Sequence, residues 1–283
     1  MPDCSHPDAG PDSTFAAPPW QASLRLGFAR DGATTRLLRR EHRGPLRVQK
    51  ALYPEGPQTC HVIVVHPPGG VVGGDCLDIA LDAGAGCAVL ATSPGAAKWY
   101  RANGRVSRQR VCLRAGADAA IEWLPQETIF YDGASVELEH EVELDAGAIY
   151  LGSEILCFGR RASGERFAQG RVAQRTRIRQ DGRLLWWEQG ALTPAAIASP
   201  LGMKGRSVCA TFLAVGQPVP APLAARLRAA DPLLALSQVK SVFVARHLGD
   251  DGEAAHTAML RVWEALRPHY LERRACVPRI WNT

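Results

Sequence analysis

Two stretches of the chain alternate strictly between apolar and polar side chains. Leu77, Ile79 and Leu81 share one face and oppose Asp78, Ala80 and Asp82. Further on, Val136, Leu138, Val142 and Leu144 share a face with His140, while Glu137, Glu139, Glu141 and Glu143 occupy the other. A period of two is the mark of a half-buried strand. The four glutamates therefore read as a solvated outer face rather than a cation site, and His140 reads as a hydrogen-bonded core histidine rather than a ligand. A continuous apolar run, Val62 to Val65, adds a more deeply buried strand.

The same pattern repeats weakly. Leu81-Asp-Ala-Gly-Ala-Gly-Cys-Ala-Val-Leu90 resembles the stretch from Leu113 to Leu124, and both resemble Leu144 to Leu151. Each consists of a strand, an x-Ala-Gly-Ala turn and a second strand, with the leading leucines about 32 residues apart. Repeats of this length predict a mainly β fold of stacked, β-helix-like coils or a layered two-sheet sandwich. Gln180-Asp181-Gly182-Arg183 falls at about the same step and predicts a two-residue hairpin. Helix is expected late, over Pro222–Ala230 and over Gly252–Leu266. In the second, Ala255, Met259, Val262, Trp263 and Leu266 follow the 3.6-residue period, Asp250 or Asp251 offers an N-cap, and Pro268 is expected to stop the helix. Ile280-Trp281 close to the terminus suggests a docked end.

Between the run at Val62 and the alternation at Leu77 lies His66-Pro-Pro-Gly-Gly-Val-Val-Gly-Gly-Asp75. Prolines fix φ and glycines admit positive φ or close backbone approach. Gly69-x4-Gly74 has the spacing of a phosphate-binding loop, but Asp75 and Cys76 follow where Lys and Ser/Thr are needed, and a strand follows where a helix is needed. The stretch reads as a rigid strand-to-strand turn.

Composition narrows the class. The 283 residues, 46% of them hydrophobic, suffice for a large core. No window is long and apolar enough to span a membrane. Residues 1–19 hold five prolines and three aspartates without basic or apolar regions, and read as a disordered tail rather than a signal peptide. Eight cysteines are scattered without a Cys-x-x-Cys pair, which predicts reduced core residues and no structural zinc. The net charge of +5 comes almost wholly from arginine, concentrated at positions 160, 161, 166, 171, 175, 177, 179 and 183. With no nucleic-acid-binding motif nearby, that cluster reads as a solvated or partner-facing patch.

The motifs of serine hydrolases, zinc proteases and dinucleotide enzymes are absent. Polar residues gather near expected strand ends: Asp75, Thr92, Ser93, Lys98, Glu127, Asp132 and Glu165. An enzyme of unfamiliar type remains the alternative, using a carboxylate pair, or the glycine loop for a phosphorylated ligand. Its mark would be a deep closed pocket holding a carboxylate with a strongly raised pKa.

Six segments taken together resemble one family, the urease accessory protein UreD. They are His66-Pro-Pro-Gly-Gly with Gly73-Gly-Asp75; Ala91-Thr-Ser93 through Lys98-Trp-Tyr-Arg101; Glu122-Trp-Leu-Pro-Gln-Glu-Thr128; Tyr131-Asp-Gly-Ala134; Cys157-Phe-Gly-Arg160 with Gly164-Glu165; and Pro278-Arg-Ile-Trp281. The resemblance runs from about residue 20 to the terminus, as one domain with a β stack to about residue 215 and a mixed helical part after it. It implies a cytoplasmic, non-enzymatic chaperone that binds apo-urease, UreF and the GTPase UreG. It also implies Ni²⁺ in transit to the urease active site, where a lysine is carbamylated, and no tightly bound cofactor. Weak oxygen ligands suit such transit, because nitrogen and sulfur sites would retain the ion. Asp75, Asp132 and Glu165 are the candidate metal-path residues on this reading, with Ser93 and Lys98 as further polar lining. The competing expectation is that Asp75 and Asp132 brace turns.

Overall fold

The computed structural model describes residues 19–282, so the expected tail up to Pro18, Cys4 and Thr283 lie outside the described residues. Strands β1 (Gln21–Asp31) and β2 (Thr34–Arg43) form an antiparallel hairpin, and β3 (Arg47–Val48) pairs with β4 (Thr59–Val65). Three coils follow. β5 (Cys76–Ala83), β6 (Ala88–Thr92) and β7 (Ala97–Trp99) make the first. β8 (Ser107–Ala115), β9 (Ala120–Leu124) and β10 (Thr128–Phe130) make the second. β11 (Ser135–Leu144) and β12 (Ile149–Phe158) make the third.

Equivalent strands of successive coils pair in parallel, so the chain climbs as a β-helix-like stack. β13 (Arg171–Gln180) continues the first sheet and turns into β14 (Arg183–Leu192). The hairpin falls where the sequence places it, with Asp181 and Gly182 both at positive φ as its tight turn requires. A short helix α1 (Pro194–Ala198), capped by the Thr193 side chain, leads to β15 (Val208–Val215). Then come α2 (Ala221–Ala230), the hairpin β16 (Leu234–Val239) with β17 (Val242–Gly249), and α3 (Gly252–Leu271).

The result is mainly β, in three layers. A seven-stranded sheet (β14-β13-β11-β8-β5-β1-β2) faces a ten-stranded sheet that contains β16-β17-β15-β12-β9-β6-β4-β3. One apolar core lies between them, and a second lies between the larger sheet and the helices.

The repeat is real, but its third copy is registered differently from its leucines. Leu81 pairs with Leu113, as the sequence suggests, whereas Leu113 pairs with Val142 and Leu144 pairs with Ala115. The turn, not the leucine, is the repeating feature. Gly86, Asp118 and Gly147 occupy one stacked position, each at positive φ, and Gly86 and Asp118 donate to the carbonyls of Ala117 and Ala146 on the next coil. A two-residue offset leaves every side chain on its proper face, which is why the leucine alignment looks acceptable in sequence.

Helix α3 also departs from expectation. It continues through Pro268 to Leu271 and ends at Glu272, which has positive φ. Proline removes one backbone donor, but the turn beyond it carries the buried Tyr270, and the Glu272 N–H closes onto the Pro268 carbonyl. The N-cap is Asp251, whose Oδ1 accepts from the Glu253 N–H at 2.9 Å, while Asp250 is engaged by Arg161, Arg206 and Ser207. The terminus is docked: the Trp281 indole packs on Trp263 and His256 and donates to Thr92 Oγ1 at 2.8 Å.

The glutamate face of β11 is the outer one, and it is matched. Glu137 pairs with Arg108, Glu139 and Glu141 with Arg110, and Glu139, Glu141 and Glu143 with Arg175, Arg177 and Arg179 respectively. Much of the arginine cluster is therefore spent inside the chain, as a cross-strand ladder, rather than offered as a free patch. Arg160 and Arg161 are likewise engaged, by Glu165 and Asp250.

Candidate functional site

The inward positions of the first sheet change character along the stack. One row across the strands reads Leu77, Gln109, Leu138, Gln174, and the next reads Ile79, Val111, His140, Thr176. From β5 toward β13, then, the wall passes from apolar to polar. The facing strand β12 presents Tyr150, Gly152 and Glu154 at alternate positions, beside Thr211 and Leu213 of β15. Gly152 leaves room for the phenol of its neighbour: a Cβ there would collide with the Tyr150 hydroxyl. That hydroxyl lies 2.8 Å from His140 Nε2. These side chains do not close the space, and a cavity of about 280 Å³ remains between the sheets.

The glycine loop forms another part of the cavity wall. Gly70 packs so closely on Tyr100 and the Lys98 carbonyl that a Cβ would fall 2.6–2.8 Å from them. Val71 makes an isolated bridge to Trp99, and Tyr100 donates to the Gly69 carbonyl at 2.9 Å. Ser93, Lys98 and Gln126 complete this side. His66 Nε2, Trp99 Nε1, Gln126 Nε2 and Arg175 Nε belong to wall residues and are buried without a hydrogen-bond partner among the described residues. The cavity wall thus carries polar as well as apolar side chains.

Electrostatics single out Glu154. Burial, reinforced by Glu188, raises its carboxyl to about 7 against the opposing hydrogen bond from Gln174. Burial alone lowers His140 to about 4, so the imidazole is neutral at pH 7. One part of the mark set for an enzyme, a carboxylate with a raised pKa in a pocket, is thus present, but the cavity is not a closed one. The sequence reading named neither Glu154 nor the cavity wall around it, although a lone carboxylate inside the apolar run Ile149–Phe158 is a visible signal.

The residues expected to form a metal path separate into groups. Ser93 and Lys98 line the cavity. Asp75, Asp132 and Glu165 are not part of its wall. Asp75 is buried and accepts from the N–H groups of Trp20, at 2.8 Å, and Val72, at 3.1 Å. Asp132 accepts from the Ala168 and Gln169 N–H groups at 2.7 and 2.8 Å and pairs with Arg101. Glu165 is held by Arg160, chiefly through its side-chain hydrogen bond, and also accepts from the Arg160 N–H at 3.2 Å, which together hold its carboxyl below the usual range. Arg160 in turn lies over the Tyr131 ring at 4.4 Å, and Tyr131 packs edge-on against Tyr100. Asp132 and Glu165 thus share one corner, joined through Tyr131 and Tyr100 to the glycine loop.

A second buried constellation pins α3 to the stack. Arg267, fully buried, bonds Glu122 at 2.9–3.1 Å and Glu55 at 2.6 Å and reaches the Arg274 carbonyl. Trp263 donates to Glu122 at 2.6 Å, and Glu55 also meets His61. Burial works to raise Glu55, but the hydrogen bonds from His61 and Arg267 prevail and bring it down to about 2. Among the described residues no group of three or more His, Cys, Asp or Glu converges as a metal-ligand cluster, and all seven described cysteines are free thiols. None of the described helices is long and apolar enough to cross a membrane.

Comparison with known proteins places this architecture. A family model described as UreD urease accessory protein matches residues 21–282. The chain is similar to the urease accessory protein UreD of Janthinobacterium sp. (strain Marseille), with 55% identity over 271 residues that cover 93% of this chain and 92% of that protein. It is similar to the protein of the same name from Nitrosospira multiformis, with 48% identity covering 94% and 98%. That of Pseudomonas fluorescens (strain Pf-5) shows 46% identity covering 94% and 96%.

Proposed function

The chain belongs to the UreD urease accessory protein family, and on that premise we propose that it is a maturation chaperone of urease whose internal cavity is a passage for Ni²⁺. The relatives carry the name of an accessory protein, not of an enzyme, so the pocket and its raised carboxyl are read as transport chemistry.

The observation that carries the reading is the cavity itself. It lies between the two sheets, and its polar side chains are mostly oxygen donors and amides, among them Ser93, Thr92, Gln126, Glu154, Gln174 and Thr211. Oxygen ligands hold a borderline cation such as Ni²⁺ less firmly than imidazole or thiolate. An ion passing such a wall exchanges partners stepwise and is not trapped. Two imidazoles also line the cavity, His140, which is tied to Tyr150, and His66 on the glycine-loop side, while the thiols of Cys157 and Cys209 lie outside its wall and are pushed up to about 12, chiefly by burial, so neither is a thiolate ligand at pH 7.

In this scheme apo-urease receives the ion, and UreF and the nickel-carrying GTPase UreG are the other members of a cytoplasmic complex. Ser93 and Lys98 line the passage. Asp132 and Glu165 shape the corner next to the glycine loop, and Asp75 holds that loop's exit. Co-purification of this chain with apo-urease, UreF and UreG, followed by an assay of nickel-dependent urease activation, tests the reading. Stable complexes and activation that depends on this chain support it. A chain that always elutes alone and leaves activation unchanged refutes it.

A further inference from the structure

The seven-stranded sheet ends in β2 and β14, and the main path of the larger sheet ends in β3 and β16. Three of these edges are protected against pairing with another strand. β2 carries Arg36, Arg39, Arg40, Glu41, His42 and Arg43, β3 is two residues long, and β16 is packed by α2, whose Arg228 donates to the Leu236 carbonyl. Charge, shortness and cover are the usual means of keeping an edge free. β14 has none of them. It is ten residues long and pairs only with β13 among the described residues. A bulge interrupts its start, so the regular edge runs from Trp186 to Leu192. The one charged side chain in that stretch, Glu188, is neutralised by Arg246 at 2.6 Å, while Trp187 is 59% exposed. Gly190 adds a second observation. The other glycines inside strands, Gly27, Gly152 and Gly249, each have a side chain pressed against them. Gly190 has neither positive φ nor any atom within 4 Å of the place a Cβ would take. A strand glycine with no reason inside its own chain marks a place where another backbone comes close.

We propose that this edge is a self-association site: β14 of a second copy of the chain pairs antiparallel with it about a twofold axis at Gln189, joining two seven-stranded sheets into one continuous sheet. The occupant follows from what this register brings together. On the outer face, which Trp187 and Ala191 share with Arg177 and Ala173 of β13, Trp187 meets Ala191 of the second copy. On the inner face, Trp186 meets Leu192 of the second copy and Glu188 meets Gly190. Each bulky side chain is set against a small or apolar one, no charge faces a like charge, and Gly190 gains its reason. Moving the axis to Glu188 would oppose two carboxylates, which disfavours that register. A twofold through a residue also works in either hydrogen-bond phase. If Gln189 turns its N–H and C=O to the open edge, it exchanges them with its own copy; otherwise Glu188 and Gly190 exchange theirs. Such an interface is isologous and closes at two chains. The contact is short, so association is weak and depends on concentration. It does not depend on the cavity being a passage.

Two measurements test this. The first is sedimentation velocity on the full chain from about 1 to about 100 μM, the range suited to a contact this small. The mass should climb toward twice that of the chain. Gly190→Val and Trp187→Lys each change an exposed position, the first with open space around it. Both should leave the thermal midpoint unchanged and raise the dissociation constant about tenfold or more, one by blocking close approach and the other by placing a charge on the edge.

The second reads the register by cross-linking with copper phenanthroline and dioxygen as oxidant. Gln189→Cys sets two thiols opposite each other on the axis, about 5 Å apart at Cβ. Trp187→Cys leaves its two thiols four residues out of step, about 13 Å apart. A cross-linked dimer should form with Gln189→Cys and not with Trp187→Cys or the wild type, whose own cysteines serve as the control. A chain that stays monomeric throughout, a dimer unmoved by Gly190→Val and Trp187→Lys, or cross-linking of Trp187→Cys in preference to Gln189→Cys overturns the proposal. So does a chain that is monomeric alone and whose β14 amides gain exchange protection only when urease or other accessory proteins are added, since the strand on the edge is then a foreign one.

Discussion

At the scale of single residues, the glycine loop and the carboxylates have different tasks that a sequence motif does not separate. Gly70 is required by close approach: Tyr100 and the Lys98 carbonyl fill the volume a methyl group would need. Gly70→Ala should lower stability by about 1–3 kcal/mol through overpacking, seen as a reduced denaturant midpoint. An unchanged midpoint would show that the loop can shift freely. Asp132 and Glu165 hold the neighbouring corner, so the near-isosteric Asp132→Asn/Glu165→Gln variant should fold and bind partners yet activate urease poorly, as judged by nickel content of the product. Full activation would confine both residues to bracing turns.

Protonation at Glu154 gives a third test at this scale. Its folded-state pKa, about 7, lies above the unfolded value. The stabilisation it contributes is therefore complete below about pH 4.5 and is lost as pH rises through 7. His140 has the opposite sign: its pKa is lowered to about 4, so its contribution is present above about 6.5 and lost on acidification. The two nearly cancel between pH 4.5 and 6.5. Glu154→Gln removes one of them, and its stability relative to wild type should rise with pH by up to about 3 kcal/mol between pH 4.5 and 8. Unfolding curves of the two proteins that run parallel across that range would contradict the assignment.

At the scale of elements, the stack is decided by strands and the helical layer by one buried arginine. The alternation at Leu77–Asp82 and Val136–Leu144, the hairpin at Asp181-Gly182 and the late helices were all legible, because each is a local pattern with a fixed period. The third repeat was misaligned by two residues because period-two strands tolerate that slip without changing face. Pro268 was read as a stop because local sequence does not show that Tyr270 is buried beyond it. Glu122 and Arg267 were invisible as partners for a similar reason: 145 positions separate them, and only the fold brings α3 over β9. Arg267→Met should cost about 3–5 kcal/mol by leaving Glu122 and Glu55 buried without their cation. Hydrogen exchange should then show α3 protection lost before that of the stack. Equal loss throughout would mean that helix and stack unfold as one unit.

At the scale of the whole molecule, the two sheets serve as the walls of a cavity with a partly polar lining rather than only as a core. The segments that suggested the family mostly surround that space or dock against it: the glycine loop, Thr92-Ser93, Lys98-Trp99, Trp123 through Gln126, and Trp281 on Thr92. The cavity itself was not legible, since its polar wall is assembled from residues scattered over many strands, each ordinary in its own context. The chain also exposes large apolar side chains, Trp187, Leu201 and Leu233 among them. Partner-covered surface of this kind accords with work done inside a complex.

The most direct test of the passage is to fill it. Urease matured in the presence of the Leu213→Trp chain, verified to fold and to enter the complex, should contain little nickel and show little activity, while wild-type chain gives full loading. Normal nickel content and activity with the filled cavity would show that the ion does not travel through this protein.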